Sequence, residues 1–281
     1  MSVAEQQLWG GETAKAVENF PVSGERVPVS VVRWLAAIKG AAARVNADLG
    51  KLDPELADRI ARSADAVAAG DHDDQFPIDV FQTGSGTSTN TNANEVIATL
   101  AGEGAHPNDH VNMGQSSNDV FPSAVHLAAL DEVTNKLLPA LERLERAFAG
   151  KAAEFEDIVK SGRTHLMDAV PVTLGQEFAG YGAQVRLGAR RVRNALPQVA
   201  QIPLGGTATG TGLNTHPEFA ERIRARLSQS SGLEISPPED PFEAQANRDA
   251  LVELSGALKV VAVSLTKIAQ DLALMGSGPR A

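Results

Sequence analysis

The sequence predicts a mainly α protein, with a small helical N-terminal domain over residues 1–116 followed by a long-helix bundle over 117–281. Three observations predict it. Apolar residues recur three and four apart over most of the chain, the period of a helix with a buried face. The stretch 242–275 contains no proline and would span roughly 50 Å as one helix, a length suited to a bundle. Alternating strand patterns are almost missing, the exception being FPIDVFQT (76–83).

The elements follow in order. VSVVRWLAAIKGAAARVNADLG (29–50) has helical apolar spacing and stops at Gly50, a natural C-terminal signal. PELADRIARSADAVAAG (54–70) repeats the pattern, with Pro54 in the first turn and Gly70 at the end. NEVIATLAG (94–102) reads as a third helix. From Asn118 a long helical stretch runs to Lys160; Pro122 suits its first turn, and Pro139 should kink or break it. VTLGQEFAGYGAQVRLGARRVRNAL (172–196) is next, its glycines permitting close helix approach. FEAQANRDALVELSGALKVVAVSLTKIAQDLALM (242–275) is apolar around most of its circumference and should be buried on nearly all sides, partly by other subunits.

Composition bounds the function. Of 281 residues, 43% are hydrophobic, 21% charged and only 4% aromatic, so an ordinary soluble core must be built from aliphatic side chains. The net charge of −10 argues against nucleic-acid binding, and any attraction for an anion must be local. With no cysteine, disulfides and thiolate–metal sites are excluded. MSVAEQQLWGGETAKAV lacks the basic and apolar regions of a secretory leader, and even ALKVVAVSLTKIA (257–269) carries Lys259 and Lys267, so a cytoplasmic protein without membrane association is expected.

Polar loops interrupt the helices. QTGSGTSTNTNANEV (82–96) sets glycines and hydroxyls before a helix, where free N–H groups and the helix dipole favour an anion; one hydroxyl would suffice for capping alone. MGQSSNDVFP (113–122) places Ser116, Ser117 and Asn118 before another helix, either as a cap with polar neighbours or as uncharged donors to a carboxylate. HPNDH (106–110) spaces two histidines like zinc ligands, but Pro107 and Asn-Asp make a turn the default. GRTHLMDA (162–169) contains one histidine beside a cation and a hydroxyl. Histidine titrates near neutral pH and suits proton transfer, although a lone histidine is more often a structural hydrogen-bonder. PLGGTATGTGLNTHPEF (203–219) lacks the lysine of a phosphate-binding loop and reads as a tight glycine-rich turn.

Together these blocks, in this order and spread over most of the chain, resemble the fumarase/aspartase superfamily and more closely the class II fumarases, the iron-independent fumarate hydratases. LWGGETAKAVENFP (8–21) is similar to the family's early segment. The resemblance implies reversible hydration of fumarate to (S)-malate in the tricarboxylic acid cycle, by a homotetramer that needs no cofactor and no metal. It implies that His165 is the proton donor and acceptor, with Thr164 beside it on the substrate. Ser85, Gly86 and Thr87, with Ser116, Ser117 and Asn118, would hold the substrate carboxylates. His106, Pro107, Asn108 and Asp109 match a second dicarboxylate site. Family active centres combine loops from three subunits. Aspartases usually carry Gln where this chain has His165, so that residue argues against an aspartase or another fumarate-releasing lyase; a non-catalytic scaffold member is the remaining alternative. The family's signature loop, Gly-Ser-Ser-x-Met-Pro-x-Lys-x-Asn, and its Met-Gly-Glu-x-x-Val-Pro region are not in this sequence. The expectation is a fragment truncated at the C-terminus, with exposed apolar helix faces and little hydratase activity alone. Following fumarate's ultraviolet absorbance with the purified 281-residue chain checks this; turnover near that of an intact family member contradicts it.

Overall fold

The structure is a computed structural model that describes residues 7–279, so the first six residues of the expected leaderless N-terminus, with Arg280 and Ala281, lie outside it. The chain forms two compact units, and each is discontinuous in sequence. One comprises the chain up to Leu130 together with Ala200–Arg248; the other comprises Asp131–Val199 and the segment from Asp249 onward. The sequence suggests a linear division at residue 116; the compact units instead interleave.

In the first unit, α1 (Gly11–Asn19) precedes α2 (Val29–Asp48) and α3 (Pro54–Ala69). Both expected signals of α3 are used: Pro54 occupies the first turn, and Gly70 closes it in the left-handed conformation; the structure adds an N-terminal cap, the Asp53 carboxylate accepting from the Leu56 N–H at 2.9 Å. Helix α4 (Thr87–Ala101) starts seven residues before the expected Asn94. Its opening run TSTNTNAN is poor in helix formers, but tertiary partners override propensity. Thr89, for example, donates its N–H to Gln82 Oε1 at 3.0 Å, and Asn92 Nδ2 donates to the Gln75 carbonyl at 3.1 Å. FPIDVFQT is not a strand; it contributes one isolated bridge, Asp79 to Arg26, because no neighbouring strand is available to extend it. Helix α5 (Ser117–Glu132) carries Pro122 past its first turn. The core is aliphatic, as the composition requires: Leu35 and Ile38 of α2, Ile60 of α3, Ile97 of α4, Leu127 of α5 and Ile223 are all fully buried.

The interruption expected at Pro139 occurs as a π-helical turn, Val133–Leu137, immediately before α6 (Leu138–Glu154), which leaves Pro139 in that helix's first turn. The second unit then makes a hairpin that the sequence did not signal: β1 (Val159–Thr164) pairs antiparallel with β2 (Met167–Thr173). Its pattern is broken by an irregularity between Ser161 and Arg163 and by Pro171, so no clean alternation exists to be read. Helix α7 (Leu174–Val199) packs on α6, most tightly at Gly175, where a Cβ would lie 2.5 Å from the Ala152 carbonyl oxygen.

After α8 (Phe219–Ser231), the expected single helix over 242–275 is two: α9 (Pro241–Ala246) and α10 (Asp249–Met275). Asn247 is extended and ends α9. Helix α10 packs on α7 along a single stripe, Leu254, Val261 and Ile268, spaced one heptad apart. Val252, Val263 and Leu274 are 61–68% exposed, so burial on nearly all sides is not achieved within this chain.

Candidate functional site

Two helix N-termini of the first unit converge. Gly86, in the left-handed conformation at φ 69°, turns the chain into α4, and its bare Cα faces the Phe121 ring of α5. That contact brings the start of α4 against the start of α5. Ser85 Oγ lies 2.7 Å from Thr87 Oγ1, which lies 2.9 Å from Ser117 Oγ. Each hydroxyl can donate to the next or turn outward to a ligand, because hydroxyl hydrogens rotate freely. Asn118, beside them, donates Nδ2 to the Ala208 carbonyl at 3.0 Å. Ser116 accepts from the Asn118 N–H at its Oγ, 3.2 Å away. A cavity of about 240 Å³ is lined by Gly114, Gln115, Ser116, Thr207, Ala208 and Asn214 among others. The expected residues Ser85, Gly86, Thr87, Ser116, Ser117 and Asn118 are therefore neighbours, and all their side-chain donors are uncharged.

Beneath them lie two ionisable side chains that the sequence reading did not single out. Lys39 of α2 is fully buried and donates to Asn90 Oδ1 at 2.7 Å and to Asn112 Oδ1 and Gln115 Oε1, each at 3.2 Å. Asp119 is also fully buried; Oδ1 accepts from the Ser116 N–H at 2.9 Å, and Oδ2 accepts from the N–H groups of Gly205 at 3.0 Å and Thr207 at 2.9 Å. Burial pushes the Lys39 ammonium down to about 7 against the attraction of Asp119. Burial pushes the Asp119 carboxyl up to about 6, against the backbone N–H groups that favour its charged form. The available signal was a lone lysine on the helical face shared by Leu35, Ile38 and Ala42.

The second unit holds Thr164 and His165. Arg163 pairs with Asp168 and Thr164 with Met167, leaving His165 and Leu166 as a two-residue loop with φ of 53° and 59°. Both central residues having positive φ is the geometry of a type I′ turn, which follows strand twist but usually recruits Asn and Gly. Here His and Leu occupy it, and His165 is exposed at the tip. A cleft of about 770 Å³ opens beside it, lined by Arg163, His165, Lys160, Glu177, Lys267 and Asp271 among others. At the hairpin's base Lys160 pairs with Glu177 at 2.5 Å, and the Tyr181 hydroxyl lies 3.1 Å from both Glu177 and Asp271.

Pro107, Asn108 and Asp109 sit on a π-helical turn, Pro107–Val111, in the first unit, and His106 caps its N-terminus. His106 Nδ1 accepts from the Asp109 N–H at 3.1 Å, and His110 Nδ1 accepts from the His106 N–H at 3.0 Å. Both nitrogens thus serve the turn. Among the described residues, no group of three or more His, Cys, Asp or Glu is arranged to hold a metal ion.

The profile of a family described as "Lyase" matches residues 1–281. The chain belongs to this lyase family. It is 56% identical over 281 residues to the class II fumarate hydratase of Mycobacterium tuberculosis, covering 99% of this chain and 59% of that protein. It is 54% identical to the class II fumarate hydratase of Methylorubrum extorquens, covering 100% and 61%. Its fold matches the crystal structure of a class II fumarase from Schistosoma mansoni with a TM-score of 0.96 and 38% identity, over 99% of this chain and 64% of that one. A fumarate lyase:delta crystallin from Brucella melitensis matches at 0.94 and 43% identity, over 99% and 63%. The resemblance read from the polar blocks is therefore borne out, as is the mainly helical fold. The chain spans about 60% of the length of these curated relatives.

Proposed function

We propose that this chain contributes to a cytoplasmic fumarate hydratase that adds water reversibly to fumarate, giving (S)-malate, as a homotetramer whose centres combine loops from three subunits. The observation that carries the reading is His165 at the tip of the β1–β2 hairpin, a titratable group held out from the fold on a backbone of positive φ. Its similarity to proteins named class II fumarate hydratase supports the substrate. The exposed apolar side of α10 supports burial by neighbouring subunits. No helix among the described residues is long and apolar enough to cross a membrane.

In this reading Ser85, Thr87, Ser116, Ser117 and Asn118 surround the substrate carboxylates with neutral donors, and Gly86, whose N–H donates to the Thr83 carbonyl at 2.8 Å, forms the turn that places Ser85 and Thr87. Water adds across the double bond, its oxygen to one alkene carbon and a proton to the other. His165 accepts one proton of that water as its oxygen bonds to carbon, the other hydrogen stays in the new hydroxyl, and the proton added to the second carbon is supplied from solvent. In the reverse reaction His165 returns its proton to the leaving hydroxyl, with Thr164 holding the substrate beside it. In dehydration, loss of the carbon-bound proton spreads charge onto the neighbouring carboxylate, and fixed donors favour that charge most in the transition state. Such donors add no charge of their own, so the local attraction that a net −10 chain requires comes from oriented hydroxyls, amides and helix N-termini. His106, Pro107, Asn108 and Asp109 form a second, peripheral dicarboxylate site.

The test is to extend the chain to the length of its relatives and follow ultraviolet absorbance with fumarate, malate and aspartate. Interconversion of fumarate and malate without ammonia release from aspartate is expected. Ammonia release instead would make the protein an aspartase, and neither reaction would make it a scaffold.

A further inference from the structure

Lys39 and Asp119 have no role in the chemistry above, yet both are fully buried in an aliphatic core. Removing an ion from water costs several kcal/mol even after relaxation, and a methionine or leucine at position 39 would suit the surrounding face of α2. The fold by itself therefore does not call for this pair. Where their hydrogen bonds go is informative. Lys39 meets no carboxylate; its three acceptors are side-chain amide oxygens. One belongs to Asn90, one turn beyond Thr87 on α4, and two belong to Asn112 and Gln115, in the segment leading to Ser116. Those amides are locked in turn: Asn90 Nδ2 donates to Asn112 Oδ1 at 3.1 Å, and Gln115 Nε2 donates to the Val111 carbonyl at 2.9 Å. Asp119 works from the other side, tying the Ser116 N–H to the N–H groups of Gly205 and Thr207 in the glycine-rich turn. Both walls of the 240 Å³ cavity, Gln115–Ser116 and Thr207–Ala208, are held by these two residues.

We propose that Lys39 and Asp119 are positioning residues: the cation fixes the amides under the 112–116 segment, the anion ties that segment to the 203–212 turn, and together they set where Ser116, Ser117 and Asn118 point. The catalytic consequence rests on the hydratase reading; the structural clamp does not. Asp119→Asn is nearly isosteric but replaces one oxygen by an NH₂ group. In either orientation that group faces an N–H, so either the Ser116 tether or the Gly205–Thr207 tether is lost. Lys39→Met keeps the volume and removes the donor from the buried Asn90 Oδ1 and from Gln115 Oε1, while Asn112 Oδ1 keeps only the Asn90 Nδ2 donor.

Two measurements separate the clamp from the function. In the 281-residue chain, amide hydrogen exchange of Asp119→Asn is expected to speed up at Ser116 or at Gly205 and Thr207, while Ile38 in α2 stays protected. Unchanged protection at all three amides, or equal loss at Ile38, overturns the clamp. In the chain extended to the length of its relatives, both variants are expected to raise KM for fumarate about tenfold or more, the effect of losing a charge-assisted hydrogen bond that orients binding groups. A merely structural role would lower the active fraction, and with it kcat, at unchanged KM, and that result overturns the catalytic consequence. If the unsubstituted protein does not hydrate fumarate, the hydratase reading fails while the exchange result still decides the clamp.

Discussion

His165→Asn in the chain extended to the length of its relatives is expected to lower kcat for fumarate hydration by about 10²–10⁴-fold, the contribution of a positioned general acid–base. Asparagine is the informative replacement. The loop requires φ of 53° at this position, a region that Asn tolerates better than most residues, so the hairpin should keep its geometry. The amide can hydrogen-bond to water or substrate but cannot exchange a proton near neutral pH. The loss should therefore appear in kcat, with KM changed much less, because neighbouring hydroxyls hold the carboxylates. Initial rates over a range of fumarate concentrations check it. A loss of less than tenfold would remove His165 from proton transfer and leave it a turn residue with a polar side chain.

Gly86→Ala is expected to be the most damaging small substitution in the carboxylate-binding cluster. The position has φ 69°, which costs a residue with a Cβ about 1 kcal/mol or more. A Cβ there would lie 2.2 Å from two atoms of the Phe121 ring, so the ring or the loop must move, and overpacking of this kind costs about 1–3 kcal/mol. Displacing the loop separates Thr87 Oγ1 from Ser117 Oγ, now 2.9 Å apart. A loss of about 2–4 kcal/mol in stability, with a large rise in KM for fumarate, is the expected combination. Urea denaturation and steady-state kinetics read the two effects. An unchanged midpoint with unchanged KM would show that the contact with Phe121 does not hold the two helix starts together.

The parts legible in sequence were those whose signals are local. Pro54 and Gly70 announce and close α3 within its own residues, and the pairing of Gly86 with the hydroxyls of Ser85 and Thr87 was visible as a motif. The elements missed depend on distant partners. TSTNTNAN becomes the first half of α4 because Gln82, Gln75 and Lys39 satisfy its side chains. The β1–β2 hairpin hides behind a bulged register, a proline in β2 and a His-Leu loop where Asn-Gly would have signalled a turn. The division between α9 and α10 at Asn247 has neither proline nor glycine to mark it, only acidic residues that begin each helix, Asp240 and Asp249. Lys39 meets Asn90 and Gln115 across 51 and 76 residues of sequence, so its role could be read only once the fold was in hand.

The account turns on neutral donors at two helix starts gripping a dicarboxylate while His165 handles the proton. A crystal structure of the assembled full-length protein with a non-reactive four-carbon dicarboxylate tests that directly. The account predicts one ligand carboxylate within about 3 Å of Thr87, Ser117 and Asn118, and His165 from a neighbouring chain at hydrogen-bond distance, directly or through one water. A ligand bound only at His106–Asp109, or one with His165 far from its carbon chain, would contradict it.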